Sequence, residues 1–70
     1  MISYVFTYIR PCDVLIFMEL IRKFRCLRIV EMYNDTQYND SYIRIRYNKK
    51  FRQYGIEDFF ENWDVEYEPE

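Results

Sequence analysis

The hydrophobic pattern of this chain switches repeatedly between a period of about two and a period of about 3.6, and that rhythm leaves few folds open. Residues 2–9, Ile-Ser-Tyr-Val-Phe-Thr-Tyr-Ile, are rich in β-branched and aromatic side chains and read as a strand. Tyr4, Phe6 and Tyr8 share one face, and Val5, Thr7 and Ile9 share the other. Both faces are apolar enough for a central strand, so the pattern alone leaves open which set is turned to the core. Arg10-Pro11-Cys12-Asp13 breaks the strand. Pro11 suits the first helical position, and Asp13 suits the positive end of the helix dipole. A helix is expected to about Phe24, with Val14, Phe17, Met18, Ile21 and Phe24 as its core stripe. Leu15 and Ile16 are expected to widen that stripe. Glu19, Arg22 and Lys23 face away from it, with Glu19 spaced to pair with Lys23.

Residues 26–33 form a second expected strand. Residues 34–40, Asn-Asp-Thr-Gln-Tyr-Asn-Asp, are dense in turn formers and read as a polar hairpin loop. Residues 41–47 then alternate cleanly: Ile43, Ile45 and Tyr47 point inward, while Tyr42, Arg44 and Arg46 point outward. Residues 48–55 allow two readings, a short strand over 50–54 or a helical turn capped by Asn48, with Gly55 punctuating either. Ile56, Phe59, Phe60 and Trp63 follow the i, i+3, i+4, i+7 spacing of a short amphipathic helix. Residues 64–68 alternate again as an edge strand, with Val65 and Tyr67 on one side and Asp64, Glu66 and Glu68 on the other. Pro69 ends it.

The resulting order, β-α-β-β-α-β, resembles the ferredoxin-like plan in the arrangement of elements, not in particular residues. It implies an α+β fold with a small antiparallel sheet and two helices on one face. The chain reads as one domain over residues 1–70, with the acidic helix and edge strand occupying 54–70. A domain of seventy residues buries only about 60% of its unfolded surface. Its fifteen aromatic rings, each able to bury about 150–250 Å², exceed what so small a core holds. Some are therefore expected on the surface as a partner or self-association patch. A C2 homodimer would enlarge the buried core of such a domain.

The absences narrow the chemistry. With no histidine, the Ser-His and Cys-His nucleophile pairs are excluded. Two cysteines without histidine make a poor zinc site. Cys12 and Cys26 flank a helix about 18 Å long, whereas a disulfide needs Cα atoms within about 7 Å. Both are expected to be small core residues in a reducing, cytoplasmic compartment. There is one glycine and no glycine-rich phosphate loop. Some ferredoxin-like nucleases carry an Asp after the first strand, where this chain has Arg10. No secretory leader is read, because a basic start and a small-residue cleavage site are both missing. The longest apolar run, residues 14–18, is far short of a membrane span. The expectation is a protein that is not an enzyme and uses no metal and no cofactor.

Charge supplies the functional signal. Residues 1–53 hold all ten basic residues and five of the twelve acids, and residues 54–70 hold the other seven acids. One reading makes Glu57, Asp58, Glu61, Asp64, Glu66 and Glu68 an acidic, nucleic-acid-mimicking surface that binds the basic channel of a nucleic-acid-handling protein, such as a CRISPR effector or a nuclease. The bias toward Tyr, Ile, Phe and Asn is that of an AT-rich genome, which associates this reading with a phage or mobile-element inhibitor acting in a host cytoplasm. A second reading places single-stranded nucleic acid on an open sheet face. There Tyr4, Phe6, Tyr8 and Tyr42 would stack bases beside Arg44 and Arg46, with Arg28, Lys49, Lys50 and Arg52 holding phosphates. The sequence pI of about 5.1 opposes this second reading. A third reading makes the same face a homodimer surface.

Overall fold

In the computed structural model, which describes residues 1–69, the elements follow the order read from the sequence. They are β1 (Ile2–Ile9), α1 (Val14–Ile21), β2 (Leu27–Asp35), β3 (Asp40–Asn48), α2 (Ile56–Asn62) and β4 (Glu66–Tyr67), with single 3-10 turns at Pro11–Asp13 and Lys49–Phe51. The four strands form one antiparallel sheet in the order β2-β3-β1-β4, with both neighbours of β1 antiparallel to it. This is the ferredoxin-like plan. The two strands with the longest uninterrupted alternation, β1 and β3, lie in the middle.

The core occupies one face of the sheet. Val5 and Ile9 of β1 and Ile43, Ile45 and Tyr47 of β3 are buried against Phe17 and Ile21 of α1 and Ile56, Phe59 and Phe60 of α2. The question left open for β1 is thus answered: Val5, Thr7 and Ile9 turn inward. Ring packing joins the helices, with Phe17 stacked on Phe59 at a centroid distance of 5.4 Å and edge-on to Trp63 at 5.2 Å. Burial of Thr7 needs a partner for its hydroxyl. Its Oγ1 donates to the Trp63 carbonyl at 2.7 Å, tying β1 to the end of α2.

Local chemistry sets the element ends. The backbone N–H of Lys50 donates to Oδ1 of Asn48 at 3.1 Å, so of the two readings for 48–55 the capped turn is the one adopted. Gly55 precedes α2 at φ 89°, a left-handed conformation that other residues adopt at a cost. At the far end Asp64 is also left-handed, at φ 51°. The N–H groups of Asp64 and Val65 donate to the carbonyls of Glu61 and Phe60, the pattern of a Schellman C-cap.

Several boundaries depart from the sequence reading. Asp64 belongs to this helix cap, and the edge strand shortens to Glu66–Tyr67. The α1 helix ends at Ile21, short of Phe24. The hairpin loop shrinks from 34–40 to residues 36–39, because cross-strand pairing continues to Asp35↔Asp40. An aspartate-anchored turn (Gln37 N–H to Asp35 Oδ1) and a left-handed Asn39 close it. Leu15 and Ile16 do not widen the core stripe and are exposed, since the sheet underlies only the side of α1 that carries Phe17 and Ile21. Glu19 sits 3.9 Å from Arg22 instead of pairing with Lys23. Cys12 is exposed in the 3-10 turn rather than in the core, Cys26 is buried, and both are free.

Candidate interaction surface

All helices pack on one face of the sheet, so the opposite face is left uncovered. On β1 it carries Tyr4, Phe6 and Tyr8, and on β3 Tyr42, Arg44 and Arg46, which are the alternate residues to the buried set. Register adds the edge strands. Arg28, Glu31 and Tyr33 of β2 pair with Arg46, Arg44 and Tyr42, and Glu66 of β4 pairs with Phe6.

Four rings form a continuous platform across three strands. Tyr42 lies 5.3 Å from Tyr8, 6.1 Å from Phe6 and 4.9 Å from Tyr33. Tyr8 and Tyr33 are each half exposed. Partial burial against these neighbours raises the pKa of the Tyr33 and Tyr42 hydroxyls. Beside the platform, the Arg44 guanidinium sits 4.2 Å from the centre of the Tyr4 ring and grips Glu68 with two hydrogen bonds, Nε to Oε1 at 2.6 Å and Nη2 to Oε2 at 3.2 Å. That bond from Arg44 holds the Glu68 carboxyl below its ordinary pKa.

The aromatic and arginine residues nominated from the sequence thus lie on one face. Tyr33 was missed, for a definite reason. A β-bulge at Val30, between the paired residues Ile29 and Glu31, inserts one residue and reverses the alternation of β2. Simple period-two counting sends Tyr33 to the core, whereas the bulge sends it to the open face.

The acidic residues are not assembled as a single surface. Glu57, Asp58 and Glu61 are exposed on α2, in the helical layer. Glu66 and Glu68 alternate with Tyr67, whose ring packs edge-on against Phe60 on the core side at 6.2 Å. Both therefore belong to the open sheet face. Two of the six are held by arginines: Glu57 by Arg52 and Glu68 by Arg44. A shallow hollow between α2 and β4 is nonetheless lined by Glu57, Glu61, Asp64 and Glu66, with Phe60, Val65 and Tyr67 as its floor and walls. Asp58 lines a neighbouring hollow with Arg52 and Tyr54. Glu70 lies outside the described residues.

Among the described residues no group of three or more Cys, Asp and Glu is arranged to hold a metal ion, and no helix is long and apolar enough to cross a membrane. Compared with protein-family models, with curated proteins and with solved structures, the chain matches none.

Proposed function

We propose that this chain is a small non-enzymatic interaction module that binds a protein partner through the open face of its sheet. The observation that carries this reading is the uncovered platform of Phe6, Tyr8, Tyr33 and Tyr42. Tyr, Phe and Arg are the residue types enriched at protein interfaces, where rigid rings contribute area at little entropic cost. Charge favours protein over nucleic acid as the occupant of this face. Arg28, Arg44 and Arg46 are matched by Glu31, Glu66 and Glu68 on the same side, so the face is close to neutral and offers a polyanion little attraction. A second copy of the chain is one protein that would fit.

A second reading keeps the acidic hollow as the contact. Glu57, Glu61 and Asp64 line it, which suits a basic, nucleic-acid-handling protein as the partner. A phage or mobile-element inhibitor of a CRISPR effector or nuclease is the class of protein that would use it. One experiment separates the two. The tagged protein, a Tyr8→Ala/Tyr33→Ala variant and a Glu57→Gln/Glu61→Gln/Asp64→Asn variant are compared in capture from host lysate and in light scattering. Loss of a defined protein partner, or of dimer mass, in the tyrosine variant alone supports the sheet face. Loss in the acid variant alone supports the hollow. Retention by both overturns both.

A further inference from the structure

Although the chain as a whole is acidic, the fold collects most of its cations at one end. The carboxyl end of α1, the start of β2, the end of β3 and the 3-10 turn after it meet there. Arg28 pairs with Arg46 across the strands. The Asn48 N–H donates to the Cys26 carbonyl at 2.9 Å. Gln53 laces the two segments together: its amide nitrogen donates to the Lys23 carbonyl and its oxygen accepts from the Arg25 N–H. As a result Arg22, Lys23, Arg25, Lys49, Lys50 and Arg52, six of the ten basic residues, lie on two adjoining segments, 22–25 and 49–52, and Arg28 and Arg46 continue them onto the sheet face. All eight are exposed. The two cations elsewhere, Arg10 and Arg44, are held by Asp13 and Glu68.

Few acids answer this cluster. Glu57 is engaged by Arg52, Glu19 touches Arg22 at 3.9 Å, and Asp58 on the first turn of α2 marks the boundary. Rings stand among the cations. Phe51 is exposed with the Lys50 ammonium 5.9 Å from its centre, and Tyr54 is fully exposed. A ring and a run of lysines and arginines on one exposed segment are the two components of a surface that binds single-stranded nucleic acid: cations take the phosphates, and a solvent-facing ring stacks on a base. Like charges gathered at one pole also repel one another, an arrangement that a bound polyanion relieves.

We infer that this basic end, centred on Lys49, Lys50, Arg52 and Tyr54 and flanked by Arg22, Lys23 and Arg25, is a binding surface for single-stranded nucleic acid. It adjoins the sheet face at Arg28 and Arg46 and the acidic hollow at Arg52, which holds Glu57, and it does not depend on either reading of those surfaces.

The test is fluorescence anisotropy with labelled oligodeoxythymidine and oligouridine of about 20 nucleotides and a duplex of the same length. Single-strand binding with Kd on the order of 1–100 μM is expected at about 50 mM salt, weakening about 50-fold by about 200 mM if four phosphates are contacted. Lys49→Glu/Lys50→Glu should weaken it about tenfold or more, Tyr54→Ala about fivefold or more, and Arg10→Gln not at all. Arg22→Gln/Lys23→Gln, away from the turn, repeats the charge test should the first pair disturb folding. Absence of binding at about 100 μM protein and about 50 mM salt overturns the inference, as does wild-type affinity in both charge variants. Equal affinity for the duplex, or for the Tyr54→Ala protein, overturns the single-strand assignment.

Discussion

The guanidinium of Arg44 joins two strands that are not neighbours, reaching across Tyr4 of β1 to hold Glu68 at the trailing end of β4. Only two residues of β4 pair with β1, so this ion pair, together with the bond from the Glu68 N–H to the Tyr4 carbonyl at 3.0 Å, fixes the short edge strand. Its pH dependence has a definite sign. The folded Glu68 has a lowered pKa, chiefly from the Arg44 hydrogen bond. The stabilisation is therefore complete above the ordinary glutamate value and is lost as pH falls from about 4.3 through the lower folded value. The advantage of the wild type over Glu68→Gln in urea midpoint should be constant near neutrality and narrow below about pH 4. An advantage that grows on acidification would refute the assignment.

Thr7→Val keeps the shape of a fully enclosed residue but removes the donor to the Trp63 carbonyl. Leaving the part-buried Trp63 carbonyl without this donor costs about 1 kcal/mol, which in a domain of this size lowers the melting temperature by several degrees per kcal/mol. Thermal unfolding followed by circular dichroism measures it. An unchanged melting temperature would mean that the bond contributes nothing.

Gly55→Ala isolates backbone strain from crowding. A Cβ at Gly55 has no neighbour within 4 Å, yet φ is +89°. The loss should be about 1–2 kcal/mol and purely conformational. Gly55→Asn, which tolerates the left-handed region better, should lose less. Chemical denaturation of the two variants gives the comparison.

The two thiols should differ sharply in reactivity. Cys12 is exposed, whereas burial both hides Cys26 and raises its pKa. An aromatic disulfide reagent should titrate one thiol rapidly in the native protein and the second only at the rate of unfolding. Rapid release of two equivalents without denaturant would contradict the burial of Cys26.

The sequence by itself determined the elements and their order, because the period of the apolar residues is a local property: two for β1 and β3, about 3.6 for α1 and α2. It also determined which residues of β3 face inward, since no irregularity interrupts residues 41–47. Tertiary structure decided what local pattern does not encode. The partner of β1 on each side selected the inward face of a strand that is apolar on both. The bulge at Val30 reversed β2 and brought Tyr33 beside Tyr42. Packing of Tyr67 against Phe60 turned Glu66 and Glu68 away from the acids of α2, dividing a run that is continuous in sequence. Conversely, the antiparallel return of β3 along β2 brought 46–52 beside 22–28, so that two modest basic stretches became one pole. Charge along a chain is counted residue by residue, but the field it produces depends on distances that only the folded backbone sets.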